Sequence, residues 1–154
     1  MELFTTLLVI HVLSAVLLIG PAGAFEVLGK KAGALGPNGG TEFLKAMVEI
    51  ERKYVIPGAI ISGITGVWMM AEANLDRVLF DNPWLWTSIL AYLIIFGLAT
   101  AVDTPAIKRI ITASEAGQQP EPKDIRLTKA LGPILGLLTA FIVVMMVWKP
   151  GLTF

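Results

Sequence analysis

The chain has 154 residues, of which 55% are apolar and only 16% charged, with a mean hydropathy of +0.74. A soluble domain carries roughly 25% charged residues, so a water-soluble enzyme is excluded, and twelve basic against twelve acidic residues leave no excess charge for nucleic acid. The absence of cysteine excludes disulfides, thiolate catalysis and Cys-ligated zinc or iron–sulfur centres.

Four apolar stretches are each long enough to cross a hydrocarbon layer about 30 Å thick. They are expected at about 3–25, 54–70, 84–102 and 130–148. Each must satisfy its own backbone hydrogen bonds in lipid, and the alternating pattern of a barrel strand is absent, so helices are expected. The first stretch lacks the basic start and short apolar core of a signal peptide and is read as a helix that stays in the membrane. The expected fold is all-α: a single polytopic membrane domain, 1–154, forming a four-transmembrane-helix bundle with short cytoplasmic amphipathic helices.

Between the first two spans, Gly29, Gly33, Gly36, Pro37, Gly39 and Gly40 predict a flexible loop. Thr41 then has the place of a cap for a helix from Glu42, with Phe43, Met47, Ile50 and Tyr54 on one apolar face. Pro57 predicts a kink at the start of span two. After span three, Thr104-Pro105 reads as a cap and first-turn proline, followed by a short helix laying Ile107, Ile110 and Ile111 on the membrane. Asp124 is a candidate cap for the last helix.

Basic residues set the expected orientation. Lys30, Lys31, Lys45, Arg52 and Lys53 lie in the first connection, and Lys108, Arg109, Lys123, Arg126 and Lys129 in the third; Arg77 and Lys149 stand alone elsewhere. The positive-inside rule therefore places the first and third connections in the cytoplasm and both termini outside. Trp68, Trp84, Trp86 and Trp148 fall at the outer span ends, as in an interfacial aromatic belt.

Small residues allow close helix approach in lipid. Gly58, Ser62 and Gly66 in span two, and Gly132 and Gly136 in span four, have the spacing for a seam, either within the bundle or between copies.

One ionisable side chain lies deep in a span: His11, roughly 14 Å along the first helix. Such a residue normally faces protein and has a role. Imidazole ligates haem iron and copper, so His11 is a candidate cofactor and metal ligand or proton relay. The alternative is a neutral imidazole satisfied by a hydroxyl or carbonyl, with Ser14, Ser62, Thr65, Ser88 and Thr139 as potential partners. Met69, Met70, Met145 and Met146, toward the outer ends of spans two and four, are candidate second ligands for a b-type haem or Cu(I), or flexible packing. Glu26, Glu72, Asp81 and Asp103 at span ends read as edge charges or caps.

Several short motifs recur together: His11-Val12-Leu13 with Gly20, Pro57, Thr65-Gly66, Trp84-Leu85-Trp86, and Val147-Trp148-Lys149-Pro150. Over nearly its whole length the chain resembles a bacterial and archaeal family of four-helix integral membrane proteins of unknown function (DUF2269-like). That family is similar in turn to HemJ-type protoporphyrinogen oxidases and to CopD-type copper-resistance membrane domains. The resemblance implies a cytoplasmic (inner) membrane location and, from the HemJ type, a b-type haem on His11, with copper as the alternative cofactor. Ser88 stands where the HemJ-type enzymes have a lysine after the Trp-Leu pair, so the oxidase activity is not implied.

The expected function is thus a small membrane protein holding haem b or copper through His11 in a redox or cofactor-handling role. The alternative is a non-enzymatic accessory subunit of a larger membrane complex. Expected partners are the lipid bilayer and either further copies of the chain or a larger complex, with no nucleic acid.

Overall fold

The computed structural model describes residues 2–34 and 36–149. The side chains of Glu26, Lys30 and Arg77, and all of Pro150, lie outside the described residues. Helix follows helix throughout: α1 (Glu2–Ala34), α2 (Gly36–Ile50), α3 (Ile56–Glu72), α4 (Pro83–Leu98), α5 (Thr104–Glu115) and α6 (Pro122–Trp148). Four helical stretches are long and apolar enough to cross a membrane, as expected from the hydropathy.

α1 has 33 residues and extends about 50 Å at 1.5 Å per residue, well beyond the hydrocarbon thickness. The glycine-rich segment expected as a flexible loop is largely helical instead, and Thr41 lies inside α2 rather than capping it. Glycine disfavours helix by about 1 kcal/mol per residue, but α2 packs against both α1 and α5, and that tertiary support overrides propensity.

Two short π-helical turns interrupt the long rods. Glu51–Val55 joins α2 to α3, and Ala99–Asp103 joins α4 to α5. Each immediately precedes an X-Pro pair, Ile56-Pro57 and Thr104-Pro105. Proline has no N–H, and its ring collides with the carbonyl four residues back. Widening the preceding turn relieves the collision: the Ile56 N–H reaches the Glu51 carbonyl and the Thr104 N–H reaches that of Ala99, each five residues back. The prolines therefore widen continuous helices, and Thr104 is an internal residue where a cap was expected.

The bundle is built from two tight antiparallel pairs, α1 with α3 and α4 with α6. The Tyr92 hydroxyl on α4 donates to the Ala59 carbonyl on α3 at 2.8 Å, and α1 also touches α6, which closes the ring of four. At one end α2 and α5 lie together. Lys45 bridges Glu42 on its own helix, at 2.7 Å, and Glu115 on α5, at 2.8 Å. Ile107 and Ile110 are buried there against protein, not laid on the membrane, because α5 sits between α2 and α6.

Asp124 does not cap α6. Its buried carboxylate receives a two-pronged bond from Arg109 of α5: Nη2 to Oδ1 at 2.7 Å and Nε to Oδ2 at 3.0 Å. The guanidinium holds this carboxyl below the usual aspartate range. Trp84 also departs from expectation. Trp68, Trp86 and Trp148 are exposed, but Trp84 is buried, with Lys149 Nζ 5.6 Å from its ring centroid. Antiparallel packing of α4 on α6 turns that face inward.

Candidate functional site

The site begins with the absence of side chains. A Cβ on Gly58 would lie 2.9 Å from the Ser14 carbonyl oxygen and 3.2 Å from Leu17 Cβ, so α1 and α3 meet backbone to backbone there. Two turns along α3, Gly66 repeats the device. A Cβ at that position would lie 3.2 Å from His11 Cε1. Without one, the imidazole enters the α3 surface. The seam expected from Gly58, Ser62 and Gly66 is therefore internal, and it faces α1.

His11 occupies this notch with its Nδ1 2.9 Å from the Ser62 carbonyl oxygen and 3.2 Å from Thr65 Oγ1; Ser62 Oγ is at 3.5 Å. A carbonyl only accepts, so Nδ1 carries the proton and donates. The Thr65 hydroxyl donates to the Ile61 carbonyl at 2.7 Å, which turns an oxygen lone pair toward the same N–H. In the neutral form of the ring, the bare lone pair is then on Nε2. Of the five polar partners considered from sequence, Ser62 and Thr65 bond the ring. Ser14 donates to the His11 carbonyl at 2.8 Å, while Ser88 and Thr139 bond carbonyls four residues back on their own helices.

The candidate methionines divide. Met69 lies three residues beyond Gly66, one turn along the α3 face that receives His11, with Met70 beside it; both are half-buried. Met145 and Met146 are half-buried on α6, which packs chiefly against α4. None of the four is a hydrogen-bond partner of His11 among the described residues. No group of three or more His, Cys, Asp or Glu side chains there could hold a metal ion.

A second polar cluster was only half legible. Asp103, expected as an edge charge, ends the second π turn with Oδ1 buried and without a hydrogen-bond partner among the described residues. Its neighbour Thr104 donates to Glu51 Oε1 at 2.5 Å and lies 2.8 Å from the Ala99 carbonyl. Both carboxylates thus stand on π turns, which are frequent at functional sites. The sequence signal for this cluster was an acidic residue, Glu51 or Asp103, ahead of each of Pro57 and Pro105.

Fold and site together define a polytopic helical membrane protein with a single imidazole set into a glycine-lined helix seam. The chain belongs to the family of predicted integral membrane proteins (DUF2269), whose model matches residues 5–150. No curated protein and no solved structure matches it.

Proposed function

We propose that this membrane protein holds a b-type haem through Nε2 of His11, in a redox or cofactor-handling role. The observation that carries the reading is the bond from Nδ1–H to the Ser62 carbonyl. Histidines that ligate metals commonly donate their other ring N–H to a carbonyl or carboxylate, which fixes the tautomer and aims the free nitrogen. His11 has that arrangement before any ligand is considered.

The donor set favours haem over copper. His11 is the sole histidine and there is no cysteine. A copper ion would need several protein ligands, whereas a porphyrin brings four nitrogens of its own and asks the protein for one or two axial groups. Met69, on the α3 face that receives His11, would be the second; Met70, Met145 and Met146 are further thioethers toward that end among the described residues. When bound, the group would carry the electron, and the chain would supply an axial nitrogen, an apolar surround and exclusion of water. The resemblance to HemJ-type and CopD-type membrane proteins, read from the short sequence motifs alone, would imply the same. The location in this reading is a bacterial or archaeal cytoplasmic membrane, with the basic end inside and both termini outside.

The test is the visible spectrum of the solubilised protein, produced with ample haem, oxidised and then reduced, beside His11→Ala. A Soret band lost in the variant is the expected result. A featureless spectrum from folded protein would end the proposal.

A second reading is a non-enzymatic subunit of a larger membrane assembly or homo-oligomer. It is favoured by the outward face of α6, where Gly132 and Gly136 meet nothing within 4 Å. A chain that stays monomeric and unpartnered after gentle solubilisation would remove it.

A further inference from the structure

The basic residues of this chain are not equivalent. Around the α5–α6 connection, Arg109 is committed to Asp124 and Lys123 to Glu121. Arg126 and Lys129 are exposed and form no ion pair among the described residues. Three residues apart on α6, they share one helical face. With Gln119, Pro120, Pro122 and Ile125 they line a cleft of about 440 Å³. Apart from Gln119 its uncharged lining is apolar, and its charged groups are both cations.

The position of the cleft matters as much as its charge. The uninterrupted apolar run of α6 begins at Ala130, directly after Lys129. Arg126 stands about 6 Å further along the axis at 1.5 Å per residue, at the depth of lipid headgroups. Below the pair, Pro133, Gly136, Leu137, Ala140, Val144 and Val147 continue the same face, and all are exposed. Leu137 is 73% exposed and a Cβ on Gly136 would meet nothing within 4 Å. Gly136 and Ala140 are the small residues of this exposed face, which leads away from the two cations.

We propose that this cleft is a binding site for an anionic phospholipid. The headgroup phosphate pairs with Arg126 and Lys129, and one acyl chain lies along the exposed face at Gly136 and Ala140. A soluble phosphate would use only the upper half of this arrangement, and its apolar walls would be wasted on it. Basic pockets at the ends of membrane helices suit acidic headgroups because the phosphate neutralises unpaired cations where lipid excludes most of the water. The site is independent of His11 and of any cofactor.

Native mass spectrometry of the full-length protein in detergent tests it, with dioleoyl-phosphatidylglycerol against dioleoyl-phosphatidylcholine as probes. The wild type is expected to prefer phosphatidylglycerol, and the R126Q/K129Q variant to lose about 30-fold in affinity for it, roughly fivefold per basic residue. The control variant R52Q/K108Q removes the same charge from the same end of the bundle and is expected to lose less than twofold. A140W, which puts a bulky ring on that face and keeps both cations, is expected to weaken phosphatidylglycerol binding several-fold; it decides the matter should R126Q/K129Q fail to fold. Inorganic phosphate at millimolar concentration is expected not to displace the lipid. Retained preference in R126Q/K129Q, equal loss in R52Q/K108Q, unchanged binding to A140W or displacement by inorganic phosphate would each overturn the site. So would a dimer that A140W disrupts, since a second copy of the chain would then be the occupant.

Discussion

α3 and α6 carry the same kind of pattern, small residues four apart, and put it to opposite uses. On α3, Gly58, Ser62 and Gly66 are covered by α1 closely enough that a single methyl group at Gly58 would collide with backbone. On α6, Gly132 and Gly136 face outward with nothing near them. The difference lies in what accompanies the glycines. The α3 pattern includes Ser62 and Thr65, which offer His11 a carbonyl and a hydroxyl across the seam. In lipid, where apolar burial gives little drive for association, such bonds add to close packing. The Gly132 and Gly136 face makes no such bond to a neighbouring helix among the described residues, and continues from two unpaired cations suited to a headgroup.

The comparison breaks most sharply on two leucines. Gly58→Leu forces α1 off α3 and is expected to cost about 3 kcal/mol or more, or to prevent accumulation of folded protein. Gly136→Leu enters open space and is expected to change stability by less than about 0.5 kcal/mol. Thermal unfolding in detergent, followed by circular dichroism, compares the two; equal losses would mean that the α6 glycines are as covered as those of α3.

A smaller effect is expected where α3 meets α4. A Cβ on Gly63 would lie 2.8 Å from the Tyr92 hydroxyl, which bonds the Ala59 carbonyl. Gly63→Ala should cost about 1–2 kcal/mol by displacing that side chain. In the Gly63→Ala/Tyr92→Phe double variant the two losses should not add, because the second change removes the colliding atom. Strict additivity in denaturant unfolding would argue against the contact.

His11→Leu is expected to cost only about 1 kcal/mol, the usual size of an interhelical bond in a membrane protein. The change removes the bonding ring but leaves Gly58 and its close approach intact. A loss as large as that of Gly58→Leu would show that the imidazole, and not the glycines, holds the pair together.

The smallest effect at neutral pH concerns the charged end. The Asp124 carboxyl is held below its ordinary value by Arg109, so the native state binds its proton less readily than the unfolded chain does. Its stabilisation is present above about pH 4, the unfolded value, and is lost as pH falls through the lower folded one. Melting temperature should therefore decline in acid, and Asp124→Asn should flatten that decline. An unchanged acid slope in the variant would assign it to other carboxylates.

How far these contrasts were legible beforehand varied with the residue. Hydropathy alone gave four membrane-crossing helices, since the need to satisfy backbone groups in lipid leaves few alternatives. The depth of His11 singled it out because an ionisable group there is costly. The spacing of Gly58, Ser62 and Gly66 announced a seam but not its partner, and the identical signal at Gly132 and Gly136 could not be told apart from it. Asp124 looked like a cap because local spacing says nothing of Arg109, fifteen residues earlier. Thr104 looked like a helix start because a proline inside a helix usually ends one, whereas a π turn here absorbs it.

The sequence by itself determined that the chain lives in a membrane, that it is helical, and that a single imidazole falls midway along the first candidate span. Those follow from local quantities: the length of an apolar run, the hydrogen-bonding demands of a backbone without water, and the cost of burying a titratable ring. Only the tertiary structure decided which glycines touch a neighbour, which His11 nitrogen is engaged, and which cations remain unpaired. Each of those depends on what another helix brings to the same place, which spacing along one helix does not encode.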